Sequence, residues 1–134
     1  MKRSYLHSDL TDKIIGCFFK LYKTLGYGFL EKVYEKSLCI ELDKTGLYFK
    51  QQYPINVYYN KELVGEYYAD IIVEDKVIIE LKAIESLKDV HGNQLLNYLK
   101  ATDVELGLLL NFGIKPEIKR KIHMKGLCVM TILQ

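Results

Sequence analysis

The chain has 134 residues, of which 49% are apolar and 27% charged, with a formal net charge of +2. That length suits a single domain, residues 1–134, and the balance excludes an intrinsically disordered chain. The small net charge makes no case for general polyanion binding, and no apolar run reaches the roughly 20 residues of a membrane span.

The segment Met1–Leu10 carries charges without an apolar stretch and does not read as a signal peptide. Cys17, Cys39 and Cys128 are odd in number, far apart and set among apolar residues. They read as free thiols in a reducing compartment, with no CxxC pair or Cys/His cluster for zinc. A cytoplasmic protein without a membrane partner is therefore expected.

In chain order, Leu10, Ile14, Ile15, Phe18, Phe19, Leu21 and Tyr22 recur at helical spacing and predict a helix over 9–24, with Ser8 or Asp9 as N-cap. Gly26 and Gly28 interrupt the pattern. A second helix is predicted from Phe29 to Lys44 on the stripe Leu30, Val33, Tyr34, Leu38, Ile40 and Leu42, stopped at Gly46. The period then changes to that of strands. Gln51–Tyr59 and Leu63–Val73 flank an Asn60-Lys61 turn, and Val77–Ala83 follows a Glu74-Asp75-Lys76 turn. A helix over Asp89–Ala101 should bury Val90, Leu95, Leu96 and Leu99. Leu106–Phe112 reads as a strand buried on both faces. A short helix is predicted from Pro116 and a last strand over Leu127–Leu133. Hairpins first and one crossover helix afterwards argue an α/β (α+β) fold, a mixed central β-sheet flanked by helices.

Asp70, Glu80 and Lys82 stand inside otherwise apolar strands, where an unpaired charge is costly. A three-residue turn over 74–76 pairs Val73 with Val77 and sets Asp70 opposite Glu80, with β-carbons about 4.5–5.5 Å apart. A two-residue turn would face Asp70 with Ile79 and turn Glu80 away. Opposed carboxylates about 5 Å apart repel by roughly 3 kcal/mol at an effective dielectric near 20. A divalent cation such as Mg2+ would offset this; a simple salt bridge to Lys82 is the alternative. With a cation to polarise a phosphoryl oxygen, Lys82, on the same face as Glu80, could position water or stabilise developing charge. The chain holds no G-x-S-x-G elbow, Walker loop or G-x-G-x-x-G. Lys115, Lys119, Arg120, Lys121 and Lys125, opposed by Glu117, form either a phosphate-contacting patch or a solvated lysine-rich segment. Tyr58, Tyr59, Tyr67 and Tyr68 read as half-buried sheet residues, with base stacking open to any that are exposed.

Asp70, nine residues and Glu80-Leu81-Lys82 resemble the D-x(n)-E-x-K signature of the PD-(D/E)XK nuclease superfamily, with Ala69 where its name has proline. Gly28-Phe29-Leu30-Glu31-Lys32-Val33-Tyr34 fits the G-x-x-E-x-x-Y block of the GxxExxY family within that superfamily. Gln94-Leu95-Leu96-Asn97-Tyr98-Leu99, Gly107 to Gly113 and Ile118-Lys119-Arg120 resemble its later blocks, so the likeness runs from about residue 10 to 122. Tyr22 stands where a histidine is expected.

The resemblance implies a restriction-endonuclease-like core and a Mg2+- or Mn2+-dependent nuclease acting on DNA. It implies Asp70, Glu80 and the Leu81 backbone carbonyl as metal ligands, with Glu31 joining from its helix, through water or directly. It implies Glu31, Asp70, Glu80, Lys82 and, on the following helix, Gln94 as catalytic residues, with Tyr98 on that helix contacting nucleic acid. Lys119, Arg120 and Lys121 are the candidate nucleic-acid contacts. Two alternatives stay open: a non-catalytic nucleic-acid or protein-binding module, and a subunit that cleaves only with a partner or as a homodimer.

Overall fold

The computed structural model describes residues 6–125. Two helices come first, α1 (Ser8–Leu25) and α2 (Glu31–Lys44). They are followed by β1 (Phe49–Tyr59), β2 (Glu62–Val73) and β3 (Val77–Lys82), then α3 (Asp89–Lys100), β4 (Leu106–Phe112) and β5 (Pro116–Ile122). The strands form one mixed sheet in the order β1-β2-β3-β4-β5. Only β3 and β4 run parallel; the other neighbours are antiparallel. A parallel neighbour needs a crossover, and α3 supplies it.

Alternation along the strands sorts the core into two layers. Ile71, Val73, Ile79, Leu81, Leu108 and Leu110 pack against α1 and α2. Ile72, Ile78 and Leu109 pack against Leu95, Tyr98 and Leu99 of α3. Helices thus cover both faces of the sheet, as expected from the element order. Gly107 permits the close approach of α3, since a β-carbon there would stand 2.7 Å from Leu95 Cδ1.

The turns set the register. Asn60 and Lys61 both take positive φ, the backbone of a two-residue hairpin turn. Glu74 and Asp75 do the same, and Val73 pairs with Val77, so the second turn has three residues. Helix α2 ends in a Schellman motif at Gly46, where the Leu47 N–H donates to the Leu42 carbonyl and the Gly46 N–H to that of Asp43.

Several local expectations are corrected. The segment from Pro116 is a strand, not a helix, paired antiparallel along all of β4. Proline is tolerated there as the first residue of an edge strand. His7, in a left-handed conformation, takes the N-cap position of α1 without a side-chain capping hydrogen bond, and Ser8 and Asp9 lie inside the helix. Leu30, Ile40 and Val90 are exposed, and α2 buries Glu35 and Cys39 instead. Tyr58, Tyr59, Tyr67 and Tyr68 are exposed rather than half-buried. They lie where the β1–β2 hairpin extends past β3, which pairs only with Ile71–Val73. The strand expected over Leu127–Leu133, and Cys128, lie outside the described residues. Cys17 and Cys39 are buried free thiols. Among the described residues no helix is long and apolar enough to cross a membrane.

Candidate active site

The β2–β3 ladder stops at Ile71 and Ile79, and the next pair of residues is Asp70 and Glu80. There the side chains replace the backbone carbonyls as acceptors. The Asp70 N–H donates to Glu80 Oε1 at 2.9 Å, and the Leu81 N–H donates to Asp70 Oδ2 at 2.8 Å. Each acid spends one carboxylate oxygen on the opposite strand and, among the described residues, keeps the other without a hydrogen-bond partner. The sequence folds this way because the three-residue turn fixes the register and the apolar alternation on both strands fixes the facing.

Burial dominates the electrostatics. It raises the Asp70 carboxyl above the usual range; the Leu81 N–H opposes the shift, the charges of Glu35 and Glu31 add to it, and Lys82 lowers it. Glu80 is pushed up to about 8, first by burial and next by the charge of Asp70, against the Asp70 N–H and Lys82. Burial therefore favours the neutral form of both acids, and a cation bound between them would have to displace a proton from Glu80.

Glu31 opens α2 and is exposed, yet its charge reaches both acids. Glu35, one turn later, acts on Asp70 more strongly and is only 4% exposed. It accepts from Lys32 Nζ (3.3 Å), Gln51 Nε2 (3.0 Å) and Gln52 Nε2 (3.2 Å). Gln52 lies in β1 level with Asp70 and has φ of 52°, a strained conformation for a non-glycine residue. The four-residue spacing places Glu35 on the helix face of Glu31, but its burial beside the site depends on Gln51 and Gln52 from β1.

Gly28 and Tyr34 have a structural task. Gly28 takes φ of 110°, and the fully buried Tyr34 stacks on Phe112 with centroids 4.1 Å apart. The Tyr34 hydroxyl donates to the Gly26 carbonyl at 2.6 Å and accepts the Phe29 N–H. Together they fix the joint that aims the start of α2. Tyr22 places its hydroxyl 2.7 and 2.6 Å from the carbonyl oxygens of Gly113 and Ile114, so it braces the β4–β5 turn.

A family model of the PD-(D/E)XK nuclease superfamily matches residues 8–121. The chain belongs to that superfamily. No curated protein matches it in sequence. The crystal structure of SSO0001 is similar at 16% identity and a TM-score of 0.53, over 94% of this chain and 64% of that one. This chain thus spans less than two thirds of SSO0001. An alkaline exonuclease from Laribacter hongkongensis, LHK-Exo, is similar at 9% identity and a TM-score of 0.51, over 99% of this chain and 77% of the exonuclease. Both likenesses are of fold.

PD-(D/E)XK nucleases generally use divalent metals, and the donor set here fits one. Asp70 and Glu80, opposite each other on neighbouring strands, each have a second carboxylate oxygen, a hard donor of the kind Mg2+ and Mn2+ prefer. Among the described residues no three His, Cys, Asp or Glu side chains converge as a metal cluster.

Lys82 and Gln94 lie beside Glu80. Lys82 shares the face of Glu80, and a small cavity brings together Glu80, Lys82, His91 and Gln94. Gln94 Nε2 donates to Tyr98 Oη at 2.7 Å. The Tyr98 phenol is raised, mainly by burial and further by the charges of Glu80 and Asp70. His91 accepts the Lys88 N–H at 2.9 Å and so caps α3.

In β5, Lys119 and Lys121 point to the α3 face; a β-carbon on Gly92 would stand 2.8 Å from Lys121 Cε. Glu80, Leu109 and Lys119 line up across three strands, about 10 Å from first to last. Arg120 points to the other face, where it donates to Thr11 Oγ1 at 2.9 Å and to the Leu6 carbonyl. It therefore leaves the set facing the site.

Asn111 holds the loop after Lys82. Fully buried, its amide donates to the Ile84 carbonyl and to Glu117 Oε1 and accepts the Ile84 N–H. Glu117 Oε1 also accepts the Leu87 N–H. The polar network fixes the end of β3 and the start of α3, and with them Lys82 and Gln94.

Proposed function

We propose that this chain is a metal-dependent nuclease of the GxxExxY type that hydrolyses phosphodiester bonds in DNA. The observation that carries the reading is the opening of the β2–β3 ladder. Two carboxylates, Glu80 buried and Asp70 half-buried, are each anchored by one backbone N–H, and a lysine stands on the same face. Anchoring holds their free oxygens in one geometry before any ligand arrives, which lowers the cost of binding.

In this reading Asp70, Glu80 and the Leu81 carbonyl would hold Mg2+ or Mn2+, with Glu31 joining through water. A cation bound there would supply polarisation of a phosphoryl oxygen and a lowered pKa of water. Lys82 orients the attacking water and offsets charge that develops on the phosphate. Gln94, held by Tyr98, borders the same cavity and orients the substrate there. Glu35 sets the negative field around Asp70 without touching it.

Lys119 and Lys121 contact the phosphate backbone. Reversing both to glutamate should weaken DNA binding at all sequences and reduce the slope of log affinity against log salt by about 1–2. An unchanged slope would leave both lysines as solvated edge residues. Arg120 is left intact in this test because it ties β5 to α1.

The reading as a whole is tested by incubating the protein with single-stranded, duplex and branched DNA in Mg2+ or Mn2+ and in chelator. Cleavage that appears with the metal and stops with the chelator is expected. Absence of cleavage on all substrates favours the binding module or the partner-dependent subunit.

A further inference from the structure

The part of the β1–β2 hairpin beyond β3 leans over α3, and between them runs a groove of about 820 Å³. That is the size range of small-molecule sites, roughly 300–1,000 Å³. Tyr58 and Tyr67 stand on its hairpin side, Asn93, Asn97 and Tyr98 on its helix side. The Tyr67 and Tyr98 rings are 5.8 Å apart at 44°. Gly65 gives Tyr67 its place, since a β-carbon there would stand 3.0 Å from Tyr67 Cε2. Lys100 is the one charged residue among those lining the groove. Gln94 lines both this groove and the small cavity that holds Glu80 and Lys82.

We infer that this groove is a nucleobase subsite, which makes single-stranded or locally unpaired DNA the substrate of the site at Asp70 and Glu80. The inference rests on the nuclease reading for the role of those acids and on the groove alone for the base. Aromatic faces stack on any base and do so without sequence preference. The amides of Asn93 and Asn97 can meet base edges, which carry both donors and acceptors. A lining that is almost uncharged suits a base and not a phosphate. A base still paired and stacked in a duplex cannot present its face to Tyr67, so it must be unstacked first or arrive in a single strand.

The experiment compares a short fluorescent thymidine oligonucleotide with an abasic strand of equal length and charge. Binding is read by anisotropy in Ca2+, an oxygen-seeking cation. Wild type should bind the thymidine strand about tenfold tighter than the abasic one. Tyr67→Ala should remove most of that preference while leaving abasic binding unchanged, and Tyr67→Phe, which keeps the ring, should retain it. If circular dichroism shows that Tyr67→Ala has lost its fold, Tyr58→Ala reads the same ratio. Equal binding of the two strands by wild type, failure to bind either, or a preference that survives in the folded alanine variants would overturn the subsite. Because no turnover is needed, base preference without any cleavage upholds the subsite and rejects the nuclease reading. Cleavage without base preference does the reverse.

Discussion

Lys82→Met should reduce DNA cleavage at least about 100-fold while leaving fold and metal affinity near those of wild type. Lys82 is half-buried at the end of β3, beside Glu80 and Gln94, and makes no hydrogen bond or ion pair among the described residues. Methionine keeps most of its length and apolar stem, so packing changes little. On the proposed function, what is lost is a cation aimed at the reacting phosphate, and loss of one such group costs about 10²–10³ in rate elsewhere. Single-turnover cleavage at saturating metal checks this. A rate within about threefold of wild type would remove Lys82 from the chemistry.

The second large effect is one of stability in the metal-free protein. Glu80 has its carboxyl pushed up to about 8, and Asp70 is raised as well. For acids raised in the folded state, the contribution to stability is fully present below the unfolded pKa, about 4.5 for Glu80. It is lost as pH rises through the folded value. Glu80→Gln cannot ionise, yet its side-chain oxygen can still accept the Asp70 N–H. Its stability relative to wild type should therefore climb between pH 5 and pH 9, reaching an advantage of about 1–3 kcal/mol at the alkaline end. Urea midpoints measured in chelator test this. A difference that stays constant over that range would show that burial does not strain the Glu80 charge.

The acid pair was legible because one number, the length of the 74–76 turn, fixes which side chains face each other. The layered sheet was legible because β4 is apolar on both faces and the alternation elsewhere is strong. Glu35 was not, because burial of a helix acid depends on Gln51 and Gln52 arriving from β1. Asn111 was hidden in the same way, since its partners lie on the loop after β3 and in β5. The error at β5 has a local cause. Pro116 is a good first helical residue and the lysines are good helix formers. Yet Ile118 and Arg120 alternate with Lys119 and Lys121 at the strand period, and pairing with β4 decides the outcome. The exposed tyrosines were misjudged because strand propensity reports a fit to a pleated surface and not the presence of a covering layer. The hairpin outruns β3, and the groove exists for that reason.

The most direct measurement is a calorimetric titration of the protein with Mn2+, beside the same titration of Asp70→Ala. The account predicts one tight site per chain in wild type, with protons released as Glu80 ionises, and no heat of binding at that site in the variant. Asp70→Ala that keeps its fold and binds Mn2+ as wild type does would contradict a metal centre at Asp70 and Glu80.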